Sequence, residues 1–313
     1  MISCATIFIQ TLLFAILAPL LAGVVKWIKC KLQNRQGPSP LQPYRNLSKL
    51  WRKNLQVANT ASPIFRITPY LVFSITITAT AIVPLLIANT SPNSMADAIV
   101  LIGLLALGRF FLALAGMDIG TAFGGMGSSR EMLIAAIAEP ALLMAFFTLA
   151  MVASSTNLPV IITYVAQHQL LSPSLLFAAL GFAVVAIAET GRIPVDNPAT
   201  HLELTMIHEA MILEYSGRHL ALIEWSAQIK LMLYSVLLIN LFFPLGIATS
   251  YAWSAVMISG LALVAKLVVL CAILAAAEIN LAKLRLFRAP YLLNLAFLLA
   301  LLGALSHIIL EIG

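Results

Sequence analysis

Charge is scarce in this chain. Acidic and basic residues together make up 10% of its 313 residues, whereas a soluble domain carries roughly 25%. Hydrophobic residues make up 61%, and the mean hydropathy is +1.00. This composition excludes an ordinary soluble enzyme or a nucleic-acid-binding protein and predicts a polytopic membrane protein.

Cysteine is also scarce. Cys4, Cys30 and Cys271 are far apart, lie within or beside apolar runs and form no CxxC pair. A disulfide framework or an iron–sulfur cluster is therefore not expected. The zinc-protease motif HExxH is incomplete, because Ile212 stands where a second histidine would have to follow His208. We expect no metal and no cofactor in this chain.

Long apolar runs are abundant. Most of them reach the roughly 20 residues that a helix needs to cross the hydrocarbon core. The first run lacks a preceding basic segment and a cleavage site, so it predicts a retained helix rather than a signal peptide. The fifth is the weak one, with 14 uninterrupted apolar residues. The eight runs are Ile7–Val25, Pro69–Ala88, Ala98–Gly116, Met132–Val152, Leu175–Ala188, Leu231–Ala248, Trp253–Ala277 and Pro290–Ile309.

The placement of basic residues decides the number of crossings. Nine basic residues and no acidic one lie between Lys26 and Arg66, so the positive-inside rule places this loop in the cytoplasm. With eight crossings the other basic loops fall on the same side, and the opposite loops contain no Lys or Arg. We predict one all-α membrane domain over residues 1–313, with eight transmembrane helices, both termini outside, and cytoplasmic loops at about 26–68, 117–131, 189–230 and 278–289.

Two basic residues, Arg109 and Lys266, fall inside apolar runs. A charge at the centre of a spanning helix costs at least about 2.5–3.5 kcal/mol, so each should face a polar partner or the bundle interior. For Arg109, snorkelling or a structural salt bridge competes with a functional role. Lys266 lies nearer mid-helix, which favours a place in a polar path.

The first basic loop predicts a surface helix. Gly37-Pro38 and the prolines after it impose a turn, and from Tyr44 onwards apolar residues recur at helical spacing between Arg45, Lys49 and Arg52. Such an amphipathic helix lies on the membrane surface or under a partner protein. Docking of a partner and anchoring to anionic lipid both remain open.

The second loop is rich in glycine but has no GxxxxGK[ST] phosphate-binding motif. Its glycines at 124, 125 and 127 predict tight turns, with Ser128 or Ser129 capping a helix that begins near Arg130. Glu131 and Glu139 lie about 80° apart on that helix and can line one face. Because carboxylates inside a membrane are costly, a function in ion transfer is favoured over a neutral structural role for Glu139.

The stretch 186–217 concentrates titratable groups. Asn197 and Pro198 predict the start of a helix that runs to about Leu213, with His201 and His208 on one stripe. Histidine titrates near neutral pH, and partly buried carboxylates have raised pKa values. A proton relay and a docking surface both fit. The acidic residues of the stretch are Glu189, Asp196, Glu203, Glu209 and Glu214.

Several short motifs in this order resemble subunit 1 of respiratory complex I, and more closely its relatives in energy-converting nickel–iron hydrogenases such as formate hydrogenlyase and hydrogenase 4. The similarity runs nearly end to end. The motifs are Arg35-x-Gly37-Pro38, Leu41-Gln42-Pro43, Lys49-Leu50, Gly127-Ser-Ser-Arg130-Glu131 with Glu139, Ala188-Glu189-Thr190-x-Arg192-x-Pro194-x-Asp196-x-Pro198, and Glu214-Tyr215-Ser216-Gly217.

The resemblance implies eight spanning helices that dock a peripheral redox arm and begin a carboxylate path towards antiporter-like membrane subunits. In the hydrogenase relatives, a nickel–iron large subunit and a small iron–sulfur subunit form that arm. Complex I subunits carry FDLPEAE where this chain has Val195-Asp196-Asn197-Pro198-Ala199-Thr200-His201. This departure falls where quinone would bind, so it makes quinone binding doubtful and resembles the hydrogenase version.

These features predict a non-catalytic subunit of a group 4 nickel–iron hydrogenase in the inner membrane, coupling electron transfer to proton or sodium movement. A complex I-type quinone oxidoreductase and a stand-alone ion or solute transporter are the alternatives. The expected ion path contains Glu131, Glu139, Glu189, Asp196, Glu203, Glu209, Glu214, His201, His208 and Lys266. Arg109, Arg130 and Arg192 would pair with its charges. Arg35, Gly37, Pro38, Gln42, Arg45, Lys49, Arg52 and Tyr215 would dock the arm.

Overall fold

A computed structural model describes residues 2–58, 60–88, 96–168, 172–196, 206–249 and 252–311. These ranges contain eleven α-helices and no β-strand, which confirms the predicted all-α class. The helices are α1 Ile2–Leu32, α2 Gln42–Trp51, α3 Pro63–Ile82, α4 Ala98–Asp118, α5 Ala122–Ala153, α6 Leu158–His168, α7 Pro173–Glu189, α8 His208–Ile212, α9 Gly217–Phe242, α10 Trp253–Asn280 and α11 Ala289–Ser306.

Seven helical segments of the described chain are long and apolar enough to cross a membrane, namely α1, α3, α4, α5, α9, α10 and the segment that contains α11. The chain is therefore an integral membrane protein. The fifth apolar run corresponds to α7, which has only 17 residues, the lower limit for a span. Helix α6, in a predicted outer loop, was not anticipated from the sequence.

Small residues seat α7 against α5 and α11. A Cβ atom added at Gly181 would lie 2.8 Å from the carbonyl oxygen of Ala296, and one added at Gly303 would lie 2.8 Å from that of Ser174. Such small-residue contacts let helix backbones approach closely in a membrane. The short helix is therefore held by its packing as much as by its hydropathy.

The second and sixth apolar runs are not helical to their ends, contrary to the prediction. Helix α3 stops before Pro84 and α9 stops before Pro244, because proline disfavours helical geometry in the residue that precedes it. The two segments that follow pair in parallel, and the amide of Ala248 donates to the carbonyl of Leu86 at 3.0 Å.

Buried amide side chains bond to this non-helical backbone. Asn240 Nδ2 donates to the carbonyl oxygen of Pro84 at 2.8 Å, and Gln10 Oε1 accepts from the amide of Leu85 at 3.1 Å. Irregular backbone at membrane depth requires such partners, which explains why these two polar residues lie within apolar helices.

The start of α5 also differs from the prediction. Thr121, not a serine, caps the helix through its side chain, and the predicted turn glycines lie inside it. They serve close packing instead: a Cβ atom on Gly127 would lie 2.9 Å from Ala210 Cβ and 3.0 Å from the Ile207 carbonyl oxygen. Helix α8 therefore rests directly on α5.

The predicted surface helix is α2. Its apolar side packs inward through Leu47, and Tyr44 donates a hydrogen bond to the Ile16 carbonyl of α1. Its basic side chains point outward: Arg45, Lys49 and Arg52 are exposed. The segment after α2 reaches Ser216, whose hydroxyl donates to the Gln56 carbonyl at 2.7 Å, so neutral groups join the first loop to the start of α9.

The α7–α11 contact can be tested by Gly181→Ala. We expect the substitution to lower the free energy of unfolding by about 1–3 kcal/mol, as overpacking does, because backbone atoms lie in the way. Thermal unfolding of the purified protein in detergent would measure the loss. Gly260→Ala is the matched control, since a Cβ atom there meets nothing within 4 Å; equal stability of the two variants would contradict this packing.

Candidate functional site

A cluster of buried ion pairs lies inside the helix bundle. Arg109 Nη1 of α4 lies 2.7 Å from Glu189 Oε1 at the end of α7, and its Nη2 lies 3.3 Å from Glu139 Oε1 of α5. Lys230 Nζ of α9 holds the other oxygen of Glu189 at 2.9 Å. The side chains of Arg109 and Glu189 are 4% and 1% exposed. The phenol of Tyr234 also lies beside Glu189.

The composition of this cluster explains how it can be buried. Two carboxylates, Glu139 and Glu189, meet two cations, Arg109 and Lys230, so the cluster is neutral when all four are ionised. A buried charge that lost its partner would destabilise the fold by about 3–5 kcal/mol. The predicted charge-pairing position of Arg109 is thus the centre of the cluster, and four different helices supply it.

A second cluster is centred on His208, the first residue of α8. Its Nε2 lies 3.3 Å from Glu131 Oε2 of α5, and its Nδ1 lies 3.5 Å from Asp196 Oδ2. Lys283 Nζ, from the segment after α10, lies 2.8 Å from Asp196 Oδ1. Asp196 Oδ2 also accepts the backbone amide of Ile207 at 3.3 Å. Asp196 therefore ties the start of α8 to the segment after α10, which lies 87 residues further along the chain from Asp196.

The environment favours the charged forms of both central groups. Burial opposes the charging of His208, but the carboxylates of Glu131 and Asp196 outweigh it and raise the His208 pKa above its ordinary value. Burial likewise opposes ionisation of Asp196, but hydrogen bonds and charges from His208 and Lys283 hold its pKa well below the usual range. His208 is therefore more readily protonated than an exposed histidine.

The two clusters form one network. His208 interacts electrostatically with Glu189, and Glu131 with Arg109. The network opens at Glu139, whose side chain is 36% exposed. Glu139 and Arg109 line a cavity of about 310 Å³ between α4 and α5. Alternating positive and negative groups thus lead from the loop end of the bundle to its side.

A separate triad of charged side chains connects helices next to this network. The carboxylate of Glu278 in α10 accepts hydrogen bonds from Arg192 Nη1 at 2.5 Å and from Lys29 Nζ of α1 at 2.7 Å. Arg192 thus pairs with a carboxylate of α10 rather than with the predicted path residues. This triad joins α1, α10 and the segment after α7.

Other predicted residues lie apart from the network. Lys266 Nζ donates to the carbonyl oxygens of Phe243 and Leu245, at 3.1 and 2.8 Å, where α9 ends. Glu214 is exposed. Glu209 is half-buried on α8 and interacts electrostatically with Glu224. His201 and Glu203, with most of the predicted helix from Asn197, lie outside the described residues.

The remaining predicted residues divide into three groups. Arg130 Nη1 donates to the Met206 carbonyl at 3.0 Å, fixing the segment before α8. Tyr215 is buried, stacks on Phe65 and donates to the Phe65 carbonyl at 3.0 Å, so it does not reach the surface. The exposed members of the docking set are Arg35, Gly37, Pro38, Arg45, Lys49 and Arg52, while Gln42 is half-buried.

The sequence alone did not indicate five residues that contact the charged groups: Lys29, Lys230, Tyr234, Glu278 and Lys283. It placed Lys230 in a cytoplasmic loop 189–230, but α9 already begins at Gly217 and Glu189 still belongs to α7. Lys230 and Glu278 directly flank apolar runs. Like Arg109, they could therefore have been expected to need a polar partner. No sequence signal pairs Lys283 with Asp196. Within the described ranges, no group of three or more His, Cys, Asp or Glu residues could hold a metal ion.

Comparisons with known proteins agree with this architecture. The chain is 31% identical to formate hydrogenlyase subunit 4 of Escherichia coli K12 over 300 residues, 95% of this chain and 96% of that protein. It is 33% identical to hydrogenase-4 component C of the same organism over 297 residues, 94% and 92% of the two chains.

A solved structure has the same fold. It is a chain of the membrane-bound sulfane sulfur reductase, an archaeal respiratory membrane complex, with a TM-score of 0.79 at 19% sequence identity. The similarity covers 96% of this chain and 99% of that one. In addition, the family model described as NADH dehydrogenase matches residues 4–310. The chain therefore belongs to the NADH dehydrogenase subunit 1-like family of membrane proteins, with formate hydrogenlyase and hydrogenase-4 subunits among its relatives, as the resemblance predicted.

Proposed function

We propose that this chain is the membrane anchor and coupling subunit of a group 4 nickel–iron hydrogenase complex in the inner membrane. It links electron transfer in a peripheral arm to proton or sodium translocation. One observation carries the proposal: paired charges run from Asp196 and His208 to Glu139 at the side of the bundle, with Arg109 and Glu189 buried between them. The relatives in formate hydrogenlyase and hydrogenase-4 support the class of complex.

The network suits coupling because its members influence one another strongly. In a low-dielectric interior, a proton gained at one site changes the energy of protonation at the next. His208 has its charge stabilised by Glu131 and Asp196, so it accepts a proton readily. A change of charge in the arm, near His208, would therefore change the electrostatic energy of the Arg109–Glu189 ion pair.

The half-exposed Glu139 is where the path leaves this subunit. An ion pair on the lipid-facing side of a bundle is costly, so a polar surface of an antiporter-like membrane subunit would cover the cavity between α4 and α5. The nickel–iron centre and the iron–sulfur clusters would belong to the large and small hydrogenase subunits. Exposed Arg45, Lys49 and Arg52 on α2 would face that arm.

The topology proposed with this function has eight crossings and both termini outside. Helix α7 makes the eighth crossing, because tight packing against α5 and α11 compensates for its shortness. Positive residues after α1, α7 and α10 then lie on the cytoplasmic side, together with α2 and α8. The peripheral arm would bind on that side.

Glu139→Gln tests the exit from the network. We expect ion translocation in sealed vesicles to fall about tenfold, equivalent to about 1.4 kcal/mol, because the amide cannot take up and release a proton. Hydrogen evolution with an artificial electron donor should persist, since the substitution leaves the subunits of the arm unchanged. Glu214→Gln, at an exposed carboxylate outside the network, is the matched control. Unchanged translocation in Glu139→Gln would remove this residue from the path.

The charge on His208 should make stability depend on pH. Its folded pKa is raised, so the stabilisation is complete below the unfolded pKa of about 6.5. It is lost as the pH rises through the folded pKa, at up to about 1.4 kcal/mol per pH unit. Thermal unfolding measured at rising pH, starting near 6.5, should show a falling stability in the wild type. His208→Gln should not show this fall. His168→Gln, at an exposed histidine, should retain it; a decline that persists in His208→Gln would refute the assignment.

A further inference from the structure

Helix α11 has two faces of different composition. The exposed face carries large apolar side chains at helical spacing, namely Leu295, Leu298, Leu302 and Leu305. Helix contacts within membranes favour small residues, because these let two backbones approach, whereas leucine resembles the lipid tails themselves. The exposed face of α11 is therefore built to meet lipid rather than another helix. The opposite face packs against α5 and α7 mostly through small residues, which are Ala289, Ala296, Ala300, Gly303 and Ala304.

Aromatic and polar side chains continue the exposed face at the start of α11. Phe287 and Tyr291 are 80% and 75% exposed, and Arg288 and Asn294 are also exposed. Spacings of three and four residues place these side chains on the side of the helix that continues into Leu295. Exposed aromatic rings at the end of a spanning helix lie at the level of the lipid headgroups. The lipid-facing side of α11 therefore meets the membrane surface here.

The polar side chains match the depth of a lipid headgroup. Arg288 and Asn294 are six residues apart, which is about 9 Å at 1.5 Å per residue. The polar layer on each side of the hydrocarbon core is about 5–7 Å thick, so Asn294 lies just inside the hydrocarbon when Arg288 lies among the phosphates. A polar group at that depth needs a partner. Among the residues that the structure describes, none forms a hydrogen bond with the Asn294 side chain.

The charge of this region selects the kind of lipid. From Ile279 to Leu310 the chain contains no acidic residue. Arg285 is exposed like Arg288, and the amide of Arg288 donates to the Arg285 carbonyl at 2.8 Å, so one turn holds both arginines. Neither guanidinium forms an ion pair within the described ranges. Basic residues at the membrane surface attract anionic lipids.

We propose that the turn between α10 and α11 binds the headgroup of an anionic phospholipid. Arg285 and Arg288 hold the phosphate, to which arginine can donate two parallel hydrogen bonds. The Asn294 amide donates to an ester carbonyl below it, and an acyl chain lies along Leu295 and the leucines that follow. A zwitterionic phospholipid offers the same phosphate without net charge, so it binds more weakly. The proposal does not depend on the ion path.

The test uses the complete complex, purified from membranes and reconstituted into vesicles of phosphatidylethanolamine and phosphatidylglycerol. Each lipid is supplied in turn as a trace probe with a photoactivatable diazirine at the same position, close to the glycerol. After illumination and digestion, mass spectrometry should find cross-links at Tyr291 and Asn294 several-fold more often with the phosphatidylglycerol probe. Leu305, on the same face near the other end of α11, is the reference and should show no such preference.

Variants of the two arginines separate charge from shape. Replacing both by glutamine, Arg285→Gln with Arg288→Gln, should lower the preference for phosphatidylglycerol to that at Leu305. Replacing both by lysine should retain most of it, because the charge remains. Arg66→Gln, at an exposed arginine of α3, is the matched control and should leave it unchanged.

Three results would overturn the proposal. The first is equal labelling of Tyr291 and Asn294 by the two probes in the wild type. The second is a preference for phosphatidylglycerol that survives the double glutamine substitution. The third is protection of this turn from both probes, which a covering partner subunit would cause.

Discussion

The salt bridge between Arg109 and Glu189 is the interaction on which the rest of the structure depends. It buries a cation of α4 against the last residue of α7 at 2.7 Å. Lys230 and Glu139 add one further charge of each sign, so the cluster stays neutral. A bundle that encloses such charges must bring four helices to one point with little freedom of position. Glu189 reaches that point because α7 is short and ends inside the bundle.

Two other features make this arrangement possible. Close contacts at Gly181 and Gly303 draw α7 against α11, so packing rather than length holds it in place. Prolines 84 and 244 end α3 and α9 early, and Gln10, Asn240 and Lys266 bond to the backbone that follows. Polar residues inside the apolar helices therefore have two distinct tasks: some satisfy broken backbone, and others form the charged network.

The sequence predicted the fold class, the amphipathic helix α2 and most members of the network, because buried charge in an apolar chain is conspicuous. It assigned Lys266 to the ion path, but in the structure Lys266 donates hydrogen bonds to backbone carbonyl oxygens at the end of α9. Composition cannot distinguish these two uses of a cation. It placed Glu189 in a loop, because an apolar run says little about where a helix ends. The pairing of Asp196 with Lys283 depends on tertiary contact across 87 residues, which no local pattern carries.

The central claim is that carboxylates of the charged network change protonation when the redox arm changes state. Redox-triggered infrared difference spectroscopy of the reconstituted complex tests it most directly, with Glu139→Gln compared against the wild type. Among the carboxylates of the Arg109 cluster, Glu139 has the longer contact, at 3.3 Å, and the greater exposure, so it is the carboxylate to substitute. The account predicts a protonated-carboxyl band on reduction that the variant lacks. A spectrum with no carboxyl change, or the same band in both proteins, would contradict it.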